Sequence, residues 1–165
     1  MNVFIRKASA VDARELQSAF DRSAEYLSPW SFPPSNLEEY LLQPHLYLAC
    51  LTTSKEIIGL FNISQVVRGL FQSAYLGYLA FYPFQGKGYM SQGLELMIQE
   101  AFINIKLHRI EANIQPDNFA SIRLVSKAGF QKEGFSPSYL RIGGQDWKDH
   151  ERWAIVNNNW SADNS

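Results

Sequence analysis

Two kinds of hydrophobic spacing at the start of the chain predict a strand followed by two helices. Apolar residues alternate with polar ones in NVFIRKA (2–8), which predicts a first strand. In residues 9–27 apolar residues recur every three or four positions, which predicts a helix opened by a Ser9 and Asp12 capping pair. Three prolines in SPWSFPPS (28–35) end that helix. Ser35 with Glu38 then predicts a capping box for a short helix that ends at about Leu42.

The middle of the chain predicts three strands and a longer helix. The apolar runs are HLYLACLTT (45–53), EIIGLFNISQVV (56–67) and FQSAYLGYLAF (71–81). Their β-branched and aromatic residues, and the short segments between them, predict an antiparallel meander. From Tyr89 to about Ile105 the apolar spacing changes to three and four residues, which predicts an amphipathic helix.

The last third of the chain completes a mixed fold. HRIEANIQ (108–115) predicts a strand, and residues 116–130 predict a helix that ends at Gly129. The tail from Lys132 predicts two further strands around a loop. The predicted order βααβββαβαββ indicates an α/β (α+β) protein, and we expect residues 1–165 to form a single domain.

Composition narrows the classes of partner. The chain has 15 basic and 16 acidic residues and a net charge of −1, so we expect no direct nucleic-acid partner. It shows no signal peptide and no stretch of 18 apolar residues, so we expect no membrane partner and a cytoplasmic location. The one cysteine, Cys50, lies in an apolar run and is predicted to be a buried structural thiol, and we expect no metal.

The segment FYPFQGKGYMSQGL (81–94) carries the clearest chemical signal. Gly86 and Gly88 lie between an apolar strand and a helix, so the segment is either an ordinary glycine-rich turn or a cradle for phosphate. The dinucleotide pattern G-x-G-x-x-G would need glycine at Ser91, and the Walker pattern would need a Lys-Ser/Thr pair after a later glycine. Neither fits. The remaining phosphate interpretation is a pyrophosphate on a different kind of ligand.

This loop resembles the pyrophosphate loop of the GCN5-related N-acetyltransferases (GNAT), whose motif is Q/R-x-x-G-x-G/A. Residues 83–88 match both glycines, and Pro83 replaces the leading Gln or Arg. RIEANIQPDNFASIRLVSKAGF (109–130) resembles a later block of the family, with Asn118 and Gly129 in the expected places. The resemblance implies a GNAT fold: a mixed central sheet with an antiparallel N-terminal meander and helices on both faces. Within the family, the chain is most similar to the branch that acetylates N-terminal alanine or serine of ribosomal proteins.

The resemblance implies acetyl-CoA as cosubstrate and assigns the residues that bind it. The end of the third meander strand would pair with the pantetheine arm, and its N–H groups would stabilise the oxyanion. Asn118 would bond the same arm, although an ordinary helix N-cap is an equal alternative, and Lys87 is either a phosphate contact or a solvated lysine. The implied cofactor residues are Tyr78, Leu79, Ala80, Gln85, Gly86, Lys87, Gly88, Tyr89, Met90, Asn118 and Ser121.

The proton-transfer residues depart from the family pattern. Members that act on protein N-termini carry a glutamate and a tyrosine at the positions of Asn113 and Val125, and neither residue present here can transfer a proton. Glu111 is the nearest alternative base, or else a solvent-facing strand residue. Ser126 is a candidate proton donor, as is Tyr139. His150 resembles a structural Asp–His pair of the branch, with a base as the other possibility. Water-relayed deprotonation is the favoured hypothesis.

The acceptor is predicted to be an amine, most simply a peptide N-terminus. Glu25, Trp30 and Tyr139 are the candidate substrate residues, since a carboxylate suits a cationic amine and aromatic side chains suit an acceptor channel. Two alternatives remain open. One is transfer to a small amine or an antibiotic, and the other is a non-catalytic acyl-CoA-binding module.

Overall fold

The computed structural model describes residues 1–162, and its order of strands and α-helices is the predicted one. The strands are β1 (Val3–Lys7), β2 (Leu46–Leu51), β3 (Ile57–Val67), β4 (Ser73–Ala80), β5 (Arg109–Ile114), β6 (Gln131–Arg141) and β7 (Trp147–Val156). The α-helices are α1 (Ala13–Leu27), α2 (Leu37–Leu41), α3 (Tyr89–Gln99) and α4 (Phe119–Lys127). Short 3₁₀ turns at Ala10–Asp12 and Ile142–Gly144 and a π-helical turn at Glu100–Asn104 were not predicted.

The sheet is mixed, as predicted. Its strand order is β1-β2-β3-β4-β5-β7-β6, so the first four strands are neighbours in chain order. The β1–β2, β2–β3, β5–β7 and β6–β7 pairs are antiparallel, whereas β4 and β5 are parallel. A parallel pair needs a crossover connection, and α3 lies in the segment that joins these two strands.

The described chain divides into two compact units. Unit 1 comprises Met1–Asn62 and Tyr78–Leu94, and unit 2 comprises Ile63–Gly77 and the chain from Glu95 onward. The core of unit 1 packs the apolar side of α1 against strand residues of β2 and β3 and against Phe81, whose ring meets Phe20 edge-on at 5.2 Å. Cys50 belongs to this core, and burial raises the pKa of its thiol, as a structural cysteine requires.

Helix α1 shows how the sequence pattern becomes packing. Its buried residues follow helical spacing: Leu16, Ala19, Phe20, Ser23 and Leu27. The predicted capping contact is present, because the Asp12 carboxylate accepts the Ser9 backbone N–H at 2.8 Å. The same carboxylate binds both terminal nitrogens of Arg6, which holds the pKa of Asp12 below its usual value.

One predicted helix start is wrong, and another predicted helix changes form before its end. Helix α2 is capped by Asn36, whose side chain accepts the Glu39 N–H at 3.1 Å, and not by the Ser35 and Glu38 pair. The next helix reaches its predicted end near Ile105, but its α-helical part ends at Gln99. The chain continues as a π turn because the Ile105 N–H bonds the Glu100 carbonyl, five residues back, at 3.0 Å.

In unit 2 the strand β5 separates an apolar face from a polar one. Ile110, Ala112 and Ile114 are buried, whereas the alternate residues Arg109, Glu111 and Asn113 are half-buried. In the part of the chain that the structure describes, no helix is long and apolar enough to cross a membrane.

Candidate active site

The glycine-rich loop of unit 1 leads directly from β4 into the first turn of α3. Gly86 and Gly88 both have left-handed backbones, with φ of +73° and +77°. This conformation favours glycine, because a side chain would strain the backbone. A Cβ built on either residue would meet no heavy atom within 4 Å, so no packing within the described chain explains the glycines. The conformation and the open surface explain them instead.

The same loop leaves backbone donors available. Gln92 makes the first hydrogen bond of α3, to the Gly88 carbonyl, so the N–H groups of residues 89–91 precede the helical ladder. Within residues 1–162, neither these groups nor those of Gly86 and Gly88 have a hydrogen-bond acceptor. The side-chain oxygen Oε1 of Gln85, an acceptor, is buried and has no hydrogen-bond donor among the described residues. A helix start with free N–H groups and a positive dipole end suits an anionic oxygen ligand.

Helix α1 holds the turn that precedes the loop. The buried hydroxyl of Ser23 accepts the Tyr82 N–H at 3.0 Å. Arg22 donates through Nε to the Tyr82 carbonyl at 2.8 Å, and the Phe81 N–H bonds the Ile58 carbonyl of β3. Both sides of the turn are therefore fixed to neighbouring elements of unit 1. The sequence pattern did not indicate either α1 anchor, since each joins residues about 60 positions apart.

Two further glycines let α3 and β4 approach β3 closely. A Cβ at Gly59 would lie 2.5 Å from Met90 Sδ and 2.7 Å from the Leu79 carbonyl oxygen. A Cβ at Gly93 would lie 2.9 Å from the Phe61 ring. The predicted cofactor residue Met90 thus directs its side chain toward β3, which leaves its backbone N–H as the group that can serve a ligand. Lys87 is exposed, with Nζ 5.7 Å from the centre of the Phe84 ring.

Strand β4 extends beyond its pairing with β5. The ladder contains the pairs from Ser73–Arg109 to Tyr75–Glu111 and ends there, although β4 continues to Ala80. The predicted cofactor residues Tyr78, Leu79 and Ala80 lie in this continuation and are half-buried. A strand that continues past its ladder can offer main-chain groups to another extended chain.

The remaining predicted cofactor residues begin helix α4 in unit 2. Asn118 is its N-cap, with Oδ1 accepting the Ser121 N–H at 3.3 Å, so the N-cap alternative is confirmed. This bond uses the oxygen of the side-chain amide, and Nδ2 donates to no acceptor within the described residues. A contact from Asn118 or Ser121 to a cofactor stays a prediction.

The candidate base Glu111 is held in an ion pair. Its Oε1 accepts from Nε and Nη2 of Arg109, the latter at 2.8 Å, and the same guanidinium binds Glu133. This ion pair favours the alternative in which Glu111 is a strand residue without a catalytic role. The candidate donor Ser126 is exposed in the last turn of α4, beside fully buried Val125. No contact joins Glu111 and Ser126 among the described residues, and their catalytic roles stay predictions.

The candidate substrate residues fall in both units. Glu25 is exposed on α1 and Trp30 is half-buried in the segment after that helix, both in unit 1. Tyr139 is half-buried in β6 of unit 2, with its ring 6.3 Å from that of buried His150. Burial lowers the pKa of His150, and Nδ1 donates to the Lys148 carbonyl at 2.8 Å, so residues 1–162 contain no hydrogen bond between His150 and an aspartate. The Asp149 carboxylate instead accepts the Ser138 N–H.

The comparisons with known proteins agree with this geometry. A sequence model of the acetyltransferase (GNAT) domain matches residues 2–131. A probable N-acetyltransferase of Bacillus subtilis is 42% identical over 61% of this chain, which spans 55% of that relative. A ribosomal protein uS5-alanine N-acetyltransferase of Escherichia coli is 38% identical over 86% of this chain and 73% of its own length.

A solved structure extends the likeness to the whole fold. The ribosomal-protein-S5-alanine acetyltransferase of Vibrio fischeri superimposes with a TM-score of 0.88 at 27% identity, covering 98% of this chain and 96% of that one. The resemblance to the family and to its ribosomal-protein branch is thereby confirmed as a similarity of both sequence and structure. The chain belongs to the GNAT family of acetyltransferases.

Proposed function

We propose that residues 1–165 act as one acetyltransferase domain that moves acetyl from acetyl-CoA to the α-amine of a protein N-terminus in the cytoplasm. The observation that carries the proposal is the loop in which two left-handed glycines precede the free N–H groups of α3. The choice of an α-amine as the acceptor is supported by the 38% identity to an enzyme named for an alanine of a ribosomal protein.

The loop would hold the pyrophosphate of acetyl-CoA mainly through its backbone. Gly86, Gly88 and the first turn of α3 supply N–H donors, and residues 85–90 surround them. Side-chain identity matters little for such a contact, which fits the absence of the family's leading Gln or Arg at Pro83. Lys87 would add a positive charge at the rim. Asn118 would donate Nδ2 to the same ligand while its Oδ1 caps α4.

The part of β4 that continues beyond its ladder with β5 would orient the acetyl group. Bound acetyl-CoA supplies a thioester carbonyl that an amine can attack. The main chain of Tyr78, Leu79 and Ala80 would pair with the extended pantetheine arm, as one strand pairs with another. An N–H of this segment, aimed at the carbonyl oxygen, would stabilise the negative charge that develops there. The chain thereby contributes positioning and an oxyanion contact.

Transfer forms a C–N bond and breaks the C–S bond, so the amine loses a proton and the thiolate gains one. Ordered water would carry the amine's proton, because Asn113 and Val125 replace the family's base and acid, respectively, and Arg109 holds Glu111. Glu25, Trp30 and Tyr139 would position the acceptor, and Ser126 stays a candidate for returning the proton to sulfur.

Release of free CoA thiol with matched peptides tests the proposal. The first peptide has a free α-amine and no lysine, the second has the α-amine blocked and one lysine, and spermidine serves as a small amine. We expect acetylation of the first peptide at its N-terminus, located by mass spectrometry. Turnover only with spermidine or only with the lysine peptide would refute the α-amine proposal. Tight binding of acetyl-CoA without any turnover would instead indicate a binding module.

A further inference from the structure

The register of unit 2 places a set of polar side chains on one face of the sheet. Residues directly opposite each other in neighbouring strands lie on the same face. Tyr75 of β4 is opposite Glu111 of β5, Asn113 is opposite Arg152 of β7, and Arg152 is opposite Gly134 of β6. Because Glu111 and Asn113 are two residues apart, all five belong to one face, which we call the polar face.

The two arginines in this region, Arg109 and Arg152, differ in their carboxylate partners. Arg109 binds the carboxylates of both Glu111 and Glu133. The pKa of Glu133 is lowered chiefly by its hydrogen bond with Arg109, and Arg152 adds only an attraction through space. Arg109 therefore pairs with both of these carboxylates. The second, Arg152, donates no hydrogen bond to any residue in the described part of the chain.

Arg152 is half-buried, and its Nε is fully shielded from solvent without a hydrogen-bond partner among residues 1–162. Buried donors in proteins are nearly always paired, and an unpaired one indicates a missing partner. The guanidinium lies against the backbone of β6, where Gly134 leaves room for it. A Cβ at Gly134 would lie 2.4 Å from Nη2 and 3.2 Å from Cζ of Arg152.

Two tyrosine hydroxyls meet close to this cation. The neighbouring Tyr139 hydroxyl is the main cause of the raised pKa of Tyr75, on which the charge of Arg152 also acts. Tyr139 lies in β6 where the register with β7 shifts between Ser136 and Leu140, and its ring is 6.3 Å from that of His150, two residues before Arg152 in β7. The polar face thus combines a guanidinium that lacks an acceptor with two hydroxyl groups.

We propose that Arg152, with the Tyr75 and Tyr139 hydroxyls beside it, binds the carboxylate of an acidic side chain near the N-terminus of the acceptor peptide. The assignment rests on the proposed N-terminal acetylation. Arginine presents parallel N–H donors that match a carboxylate, and a hydroxyl can donate to the same oxygens. Because Arg109 pairs with both Glu111 and Glu133, an acidic side chain of the peptide would supply the carboxylate that Arg152 lacks.

The test uses paired peptides that carry Asp or Asn at position 2, 3 or 4 and share a free α-amine. Binding to the acetyl-CoA-free and CoA-bound protein is measured by calorimetry, and kcat and KM are measured separately. We expect one Asp peptide to bind roughly ten- to a hundred-fold more tightly than its Asn partner, the range for a charge-assisted hydrogen bond. In Arg152→Gln that preference should disappear through KM, with kcat nearly unchanged for the Asn peptide.

Two variants separate recognition from folding and from general charge. In Gly134→Ala the added methyl displaces the flexible end of Arg152, so the protein should fold normally and still lose the Asp preference. Lys132→Gln removes the same charge from the opposite face, where Lys132 pairs with Glu151, and should keep the preference.

The outcomes distinguish this inference from the proposed function. Equal binding of every Asp and Asn pair, or an equal loss of preference in Arg152→Gln and Lys132→Gln, would overturn the Arg152 assignment even if peptides are acetylated. Selective binding of an Asp peptide without acetyl transfer would uphold the assignment and refute the proposed reaction.

Discussion

The glycine-rich loop of unit 1 and the polar face of unit 2 are built on opposite principles. The loop offers backbone N–H groups whose directions are set by two left-handed glycines. The polar face offers side chains of β4, β5 and β7, and Arg109 pairs with the Glu111 carboxylate on it. The loop is thus defined by a few consecutive residues, whereas the polar face exists only once distant strands pair. Substitutions should affect the two regions through different physical effects.

The loop should give the largest effect, because a backbone donor cannot be replaced by a similar side chain. Gly88→Val puts a β-branched residue at φ +77° and places methyl groups beside the free N–H groups of α3. Loss of one or two charge-assisted hydrogen bonds should weaken acetyl-CoA binding by roughly 100-fold, measured by calorimetry.

Gly69→Val is the matched control for strain. Gly69 has φ of +67°, and a Cβ there would also meet nothing within 4 Å, but it belongs to the connection between β3 and β4 and not to the glycine-rich loop. Both variants should lose similar stability, and only Gly88→Val should lose affinity. An equal affinity in the two variants would remove the loop from the cofactor site.

The support under the loop should give an intermediate effect. Ser23→Ala removes the buried hydroxyl that accepts the Tyr82 N–H, which should lower the free energy of unfolding by about 1–2 kcal/mol. Ser18→Ala on the same helix removes only an exposed hydroxyl bonded to the Arg14 carbonyl, and should change stability by less than about 0.5 kcal/mol. Urea denaturation measures both. Equal stabilities would mean that α1 does not hold the turn.

The contrast between the two regions also explains what the sequence could predict. The spacing of Leu16, Phe20 and Leu27 is local, so it predicts α1 and its buried side before any tertiary contact is known. Gly86 and Gly88 are equally local, since only a few residue types tolerate a left-handed backbone. The order of elements and the family follow from such short-range patterns.

Other features depend on choices that short-range patterns leave open. Both Ser35 and Asn36 are suitable N-cap residues, and only the backbone geometry selects Asn36. The pairing of Arg109 with Glu133, 24 residues away, needs the β5–β7–β6 register. Gly134 within a strand is the one local sign of the Arg152 contact, because an isolated strand glycine often marks a close approach. The ion pair that holds the candidate base Glu111 belongs to this second class.

Substitution of Glu111 on the polar face should have the smallest effect, and it should appear in kcat. Loss of a true general base costs roughly a hundred- to ten-thousand-fold in rate. Glu111→Gln should lower kcat by less than about ten-fold, with an unchanged pH profile, because Arg109 holds this carboxylate and water relays the proton in the proposed reaction.

Glu133→Gln is the matched control, since it removes the other carboxylate that binds the same guanidinium. Similar small losses in both variants would mean that Glu111 serves the ion-pair network. A hundred-fold loss confined to Glu111→Gln would identify it as the base, and the polar face would then carry chemistry as sensitive to substitution as the loop.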